Sequence, residues 1–126
     1  MVHRSPLGTV RGLGSAKAGA EHFWRQRLTA VSNIFLVSFL IYLVVRYAGA
    51  DYATVKQALA KPQHALPLLL LVVSGVIHMR LGMQTIIEDY VHSEGRKVAA
   101  LMLNSFFAIL VGSITAFAVL KLSFGA

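Results

Sequence analysis

His78 stands inside a long apolar stretch, and eleven residues later the chain carries the pair Asp89-Tyr90. An imidazole is costly to hold in hydrocarbon, so a histidine at membrane depth points to a functional site. On an α-helix, eleven steps of ~100° return the chain to within ~20° of its starting direction and advance it ~16 Å. His78 and Asp89 therefore share one helix face, the histidine deep in the bilayer and the acid at its rim. Leu71, Ser74, Gly75, Gly82 and Thr85 project within ~60° of the histidine on the same helix. Glycines about one turn to either side leave flat, open backbone, the shape a planar macrocycle needs in order to approach. Haem iron accepts an imidazole nitrogen axially, and the other ring nitrogen then needs a hydrogen-bond partner. The same residues also suit a histidine that bridges two helices, with glycines for close packing. Spacing leaves both readings open.

At the rim, the Tyr90 phenol can hydrogen-bond a quinone carbonyl, and the Asp89 carboxylate can take part in proton delivery during quinone reduction. The pair equally fits an interfacial tyrosine and an acid that opens a loop. Arg25 and Arg27 carry guanidinium groups suited to carboxylates, haem propionates included, and they also fit as interfacial anchors. Arg80 either snorkels or meets an acidic group of a partner. Glu88, Glu94, Arg96 and Lys97 form a solvated loop or a docking edge for a peripheral subunit.

The chain that must position these groups has 126 residues, 56% hydrophobic and only 13% charged, with a mean hydropathy of +0.66. Soluble domains carry roughly a quarter charged residues, so composition gives an all-α membrane protein. Three transmembrane helices are expected at about 28–45, 67–89 and 98–120. The first has eighteen residues, or ~27 Å, just enough for the hydrocarbon core. Trp24, Arg25 and Arg27 flank one end of it, and Arg46, Tyr47 and Tyr52 the other, as interfacial anchors do. Residues 49–64 read as an extramembrane loop. The apolar run resumes at Ala65, with Pro67 near the first turn of the second helix, where proline is tolerated. A charged connection covers 88–97. The third span carries no charge and is long enough to cross with tilt. Residues 1–24 read as a cytosolic basic arm, without the apolar core of a secretory signal, and 25–126 as a single membrane domain.

Cysteine is absent, which excludes disulfides and thiolate chemistry. The net charge of +7 resides at the span ends, where Lys and Arg act as orientation signals and phospholipid contacts and not as a nucleic-acid patch. Seven Lys/Arg (4, 11, 17, 25, 27, 96, 97) lie on one side and four (46, 56, 61, 121) on the other. The positive-inside rule then places the N-terminus and the 88–97 connection in the cytoplasm. His3, His22, His64 and His92 all lie outside the apolar spans. A second histidine ligand to a haem would have to come from another chain, and three helices are few to enclose a porphyrin. Both points predict an obligate membrane partner.

The stretch from His78 through Gly82 to Glu88-Asp89-Tyr90-Val91-His92, and the run His22-Phe-Trp-Arg-Gln-Arg27-Leu-Thr-Ala, resemble the smaller, cytochrome b556-type hydrophobic membrane-anchor subunits of succinate dehydrogenase, respiratory complex II. The match covers nearly the whole chain, and its specificity lies in the joint spacing. It implies a bundle with a second three-helix anchor (cytochrome b) subunit, and one haem b between them with His78 as this chain's axial ligand. It further implies Arg27 near the propionates, and Tyr90 with Asp89 at a ubiquinone site close to an iron–sulfur subunit. A flavoprotein subunit would oxidise succinate, so this chain would be a non-flavin subunit with no dehydrogenase chemistry of its own. The resemblance implies a multi-pass protein of a bacterial inner membrane, with the mitochondrial inner membrane as the alternative. Two other readings are an anchor of a quinol:fumarate reductase and a cofactor-free membrane scaffold.

Overall fold

The computed structural model describes residues 16–125, and every regular element among them is a helix. They are α1 (Ala16–Tyr47), α2 (Tyr52–Ala60), α3 (Pro62–Tyr90) and α4 (Glu94–Ser123). Three of these, α1, α3 and α4, are long and apolar enough to cross a membrane, which makes the chain a multi-pass membrane protein. Residues 1–15 of the expected arm at 1–24 lie outside the described residues. Within the remainder of that segment, α1 is already helical from Ala16, ahead of the apolar run.

The stretch expected as a loop, 49–64, is mostly helical. Gly49 takes a positive φ of 78°, the left-handed conformation glycine allows at little cost, and turns the chain out of α1. Asp51 sits at the N-cap of α2. Lys61 is extended and serves both as the end of α2 and as the N-cap of α3, and Pro62 fits the first position of α3 because that amide needs no partner. Because α3 starts at Pro62, Pro67 lies inside the helix and not in its first turn. There its ring removes the hydrogen bond that an amide would make to Gln63.

The central element is α3, which packs against α1 on one side and α4 on the other, while α2 caps it at the end remote from Tyr90. The contacts use small residues. An added Cβ at Gly112 of α4 would lie 3.4 Å from Val76 of α3, and Ala108 is buried. The Asn104 amide donates across the same seam to the Arg80 carbonyl, at 3.0 Å. Few large side chains are buried, and Phe35, Val45, Leu103 and Phe117 are among many exposed apolar ones. That surface belongs in lipid or against other membrane helices.

Candidate functional site

On α3 the side chains of Ser74 and His78, one turn apart, both reach the same residue of α1. The Ser74 hydroxyl donates to the Thr29 carbonyl at 3.4 Å. The His78 Nδ1 lies 3.1 Å from the Thr29 hydroxyl oxygen. That hydroxyl is also 2.8 Å from the Arg25 carbonyl and 3.1 Å from the Gln26 carbonyl. The His78 contact engages Nδ1 of the ring, and Nε2 has no hydrogen-bond partner among the described residues. A histidine held at one ring nitrogen by an outer partner presents the other to a metal.

His78 lines a cavity of about 420 Å³ together with His22, Gln26, Arg27, Ala30 and Thr85. Thus Arg27 and His78, singled out separately in the sequence, border one space. The Arg27 guanidinium carbon lies over the Phe23 ring, 5.1 Å from its centre, within cation–π range. The glycines flanking His78 differ. Gly75 faces open space, whereas an added Cβ at Gly82 would lie 3.5 Å from the Gln26 amide nitrogen. Open backbone is therefore present on one side of the histidine, and on the other side α1 closes in.

His22 and Gln26 were not singled out by sequence, and they matter. Among the described residues, three buried side-chain atoms lack a hydrogen-bond partner: Nε2 of His22, Oε1 of Gln26 and Oδ1 of Asn33. Positions 22, 26, 29 and 33 lie within ~60° of one another on a helix. They form one polar stripe along an apolar span, and that spacing is the signal that finds them. The stripe faces α3: Thr29 meets Ser74 and His78, and Gln26 lies beside Gly82. His22 lies two turns from Thr29, ~10 Å along the axis from the His78 level, too far to share one metal ion with it. No group of three or more potential metal-ligating side chains occurs among the described residues. The other histidines are elsewhere. His64 begins α3, its Nδ1 2.7 Å from the Ala58 carbonyl and its ring beside Phe39 and Tyr47. Nδ1 of His92 lies 3.1 Å from the Tyr90 carbonyl.

At the end of α3, Tyr90 is 77% exposed and borders a second cavity of about 350 Å³ with Val91, His92, Arg96 and Ala100. Asp89 is exposed beside it but does not line that cavity. The arrangement adds His92 and Arg96 to the rim pair. Along α3, an uninterrupted helix carries His78 and Asp89, so their common face is kept.

The chain, with three helices long and apolar enough to cross a membrane and His78 on the central one, is a multi-pass membrane protein. It belongs to the succinate dehydrogenase/fumarate reductase transmembrane subunit family, whose model matches residues 1–119. Relatives include the succinate dehydrogenase hydrophobic membrane anchor subunit of Rickettsia bellii, 31% identical over 85% of this chain and 86% of the relative. That of Paracoccus denitrificans is 29% identical over 100% of this chain and 97% of the relative. The membrane anchor subunit of Reclinomonas americana is 31% identical over 74% of this chain and 80% of the relative. No solved structure matches.

Proposed function

We propose that this chain anchors a succinate:ubiquinone oxidoreductase in the membrane, shares one haem b with a second anchor subunit, and forms part of the quinone-reduction site. The observation that carries the reading is the Thr29–His78 hydrogen bond, which leaves Nε2 free beside a cavity with unpaired polar atoms. The residues fit the group. Nε2 of His78 would hold the iron, the open backbone at Gly75 would admit the macrocycle's edge, and the Arg27 guanidinium would meet propionates. A bound haem b supplies a one-electron carrier. This chain's part is to hold the imidazole in one orientation and to neutralise the propionates.

Quinone reduction takes up two electrons and two protons, so a site needs a donor to each carbonyl and a route for protons from water. Tyr90 would donate to one carbonyl, and the exposed Asp89 would relay protons from the cytoplasmic side. Electrons would arrive from an iron–sulfur subunit, supplied in turn by a flavoprotein that oxidises succinate. The N-terminus and the connection before α4 would face the cytoplasm, as the basic residues indicate. The relatives named above are succinate dehydrogenase subunits, which favours this direction over fumarate reduction. The test is the optical difference spectrum of the purified complex. Dithionite should produce haem b bands, and His78→Ala should remove or shift them. A complex with no such bands leaves the chain a scaffold.

A further inference from the structure

The cavity at the end of α3 is bordered by one permanently charged side chain. Tyr90, Val91 and His92 line it from the exit of α3, and Arg96 and Ala100 from the first turns of α4. Arg96 and Ala100 stand four residues apart and so share one face of α4. The small alanine leaves room beside the guanidinium. The connection between the helices is short, since Tyr90 ends α3 and Glu94 begins α4. The His92 Nδ1, 3.1 Å from the Tyr90 carbonyl, ties that connection to the end of α3. Phenol and guanidinium are thereby brought to one space of about 350 Å³, within the ~300–1,000 Å³ of small-molecule sites.

Arg96 is exposed and makes no ion pair among the described residues. The nearby acids Glu88, Asp89 and Glu94 do not border the cavity, and Glu88 already accepts from the Gln84 amide at 2.8 Å. Ser93 gives α4 no side-chain cap, so the positive end of the helix dipole adds to the guanidinium there. A guanidinium keeps its proton at every pH a protein meets. A bound ring that gains negative charge is therefore favoured in this space over the neutral one.

We infer that Arg96 is a second substrate-contacting residue of this chain, one that holds the quinone ring in its singly reduced, anionic form. The inference rests on the quinone reading of Tyr90. Iron–sulfur clusters pass electrons one at a time. The first electron turns the bound quinone into a radical anion, and the second, with two protons from water, completes the quinol. Tyr90 donates to the ring oxygen from the start, whereas the charge of Arg96 acts once the ring is negative. Hydrogen bonds with an ionised partner are about twice as strong as neutral ones. Tyr90 thus serves binding, and Arg96 the state between the two electron transfers, a contribution that raises kcat and not affinity.

The test uses the intact complex, poised through a redox titration, with the quinone radical read by electron paramagnetic resonance. Co-purification of all subunits checks the assembly of each variant. Arg96→Gln should lower the maximal radical signal about tenfold or more, the scale of one hydrogen bond to a charged group. In steady state, kcat with ubiquinone should fall while KM holds. Arg96→Lys keeps the charge and should retain most of the signal. Lys97→Gln, at a position that does not border the cavity, should retain all of it. The inference is overturned by the absence of a radical in wild type, by an unchanged signal in Arg96→Gln, or by an equal loss in Arg96→Lys or Lys97→Gln. A map of the complex with a carboxylate of the iron–sulfur subunit against Arg96 also overturns it. The two readings fail separately. If Tyr90→Phe also leaves the radical and the KM for ubiquinone unchanged, the quinone site lies off this chain. If only Arg96→Gln does so, Tyr90 keeps its role and Arg96 has none.

Discussion

The Thr29 hydroxyl of α1 and Nδ1 of His78 on α3 share a hydrogen bond, 3.1 Å long. One threonine thereby holds the imidazole of another helix by a single ring nitrogen. Replacing it with valine keeps the shape and removes the hydroxyl, leaving Nδ1 unpaired. Loss of such an outer partner typically costs about 10- to 100-fold in metal affinity. In Thr29→Val we expect haem to be lost correspondingly faster on dilution and its midpoint potential to move, while Thr29→Ser restores both. A potential identical in Val and wild type would show that the hydroxyl does not act through His78.

Asn33 offers a test whose sign decides the matter. Its buried Oδ1 has no partner within the described residues. If nothing met it in the assembled complex, Asn33→Leu would relieve an unsatisfied group and stabilise the protein. If the side chain turns outward in the assembled complex and the second anchor or its cofactor meets it, the substitution deletes a hydrogen bond and strands the other half. We expect destabilisation of the assembly by about 1–3 kcal/mol, read as a lower midpoint of thermal dissociation of the anchor subunits. A raised midpoint would count against a partner on this stripe.

The spans were legible because length and apolarity set them. The family features around His78 and Tyr90 were legible because both sit on one uninterrupted helix. Thr29 was not, since a lone threonine in an apolar run is unremarkable until the register of α1 against α3 is known, and that register is a tertiary fact. His22 and Gln26 carried a readable signal, being four residues apart and in line with Thr29 and Asn33, but the first helix was read for its hydropathy and not for its stripe. The short helix α2 was hidden between Gly49 and Pro62. Its start and stop residues, Asp51 and Lys61-Pro62, mark a helix as readily as they mark a loop.

Gly112 tests the seam between α3 and α4. A Cβ there would stand 3.4 Å from Val76, at ordinary contact distance, so Gly112→Ala should leave the thermal midpoint of the complex nearly unchanged. Gly112→Leu forces further carbons into the same gap. Overpacking of this kind costs typically about 1–3 kcal/mol, and the midpoint should fall. Equal tolerance of alanine and leucine would mean that the two helices are not held this close.

Tyr90 is the residue on which the quinone reading turns. Its ring is largely exposed and its hydroxyl is engaged in no tertiary hydrogen bond within the described residues, so Tyr90→Phe should leave the fold of α3 intact. Any kinetic change then reports the missing phenol proton. One neutral hydrogen bond is worth about 0.5–1.5 kcal/mol net, so the KM for a short-chain ubiquinone should rise roughly two- to tenfold. Dye reduction by the succinate-oxidising subunits, which bypasses the membrane, should continue at the wild-type rate. Asp89→Asn separates binding from proton supply. The amide still fills the rim, so KM should hold while kcat falls. If both variants turn over ubiquinone as wild type does, the carbonyl partner and the proton route lie on other subunits, and α3 contributes only its histidine.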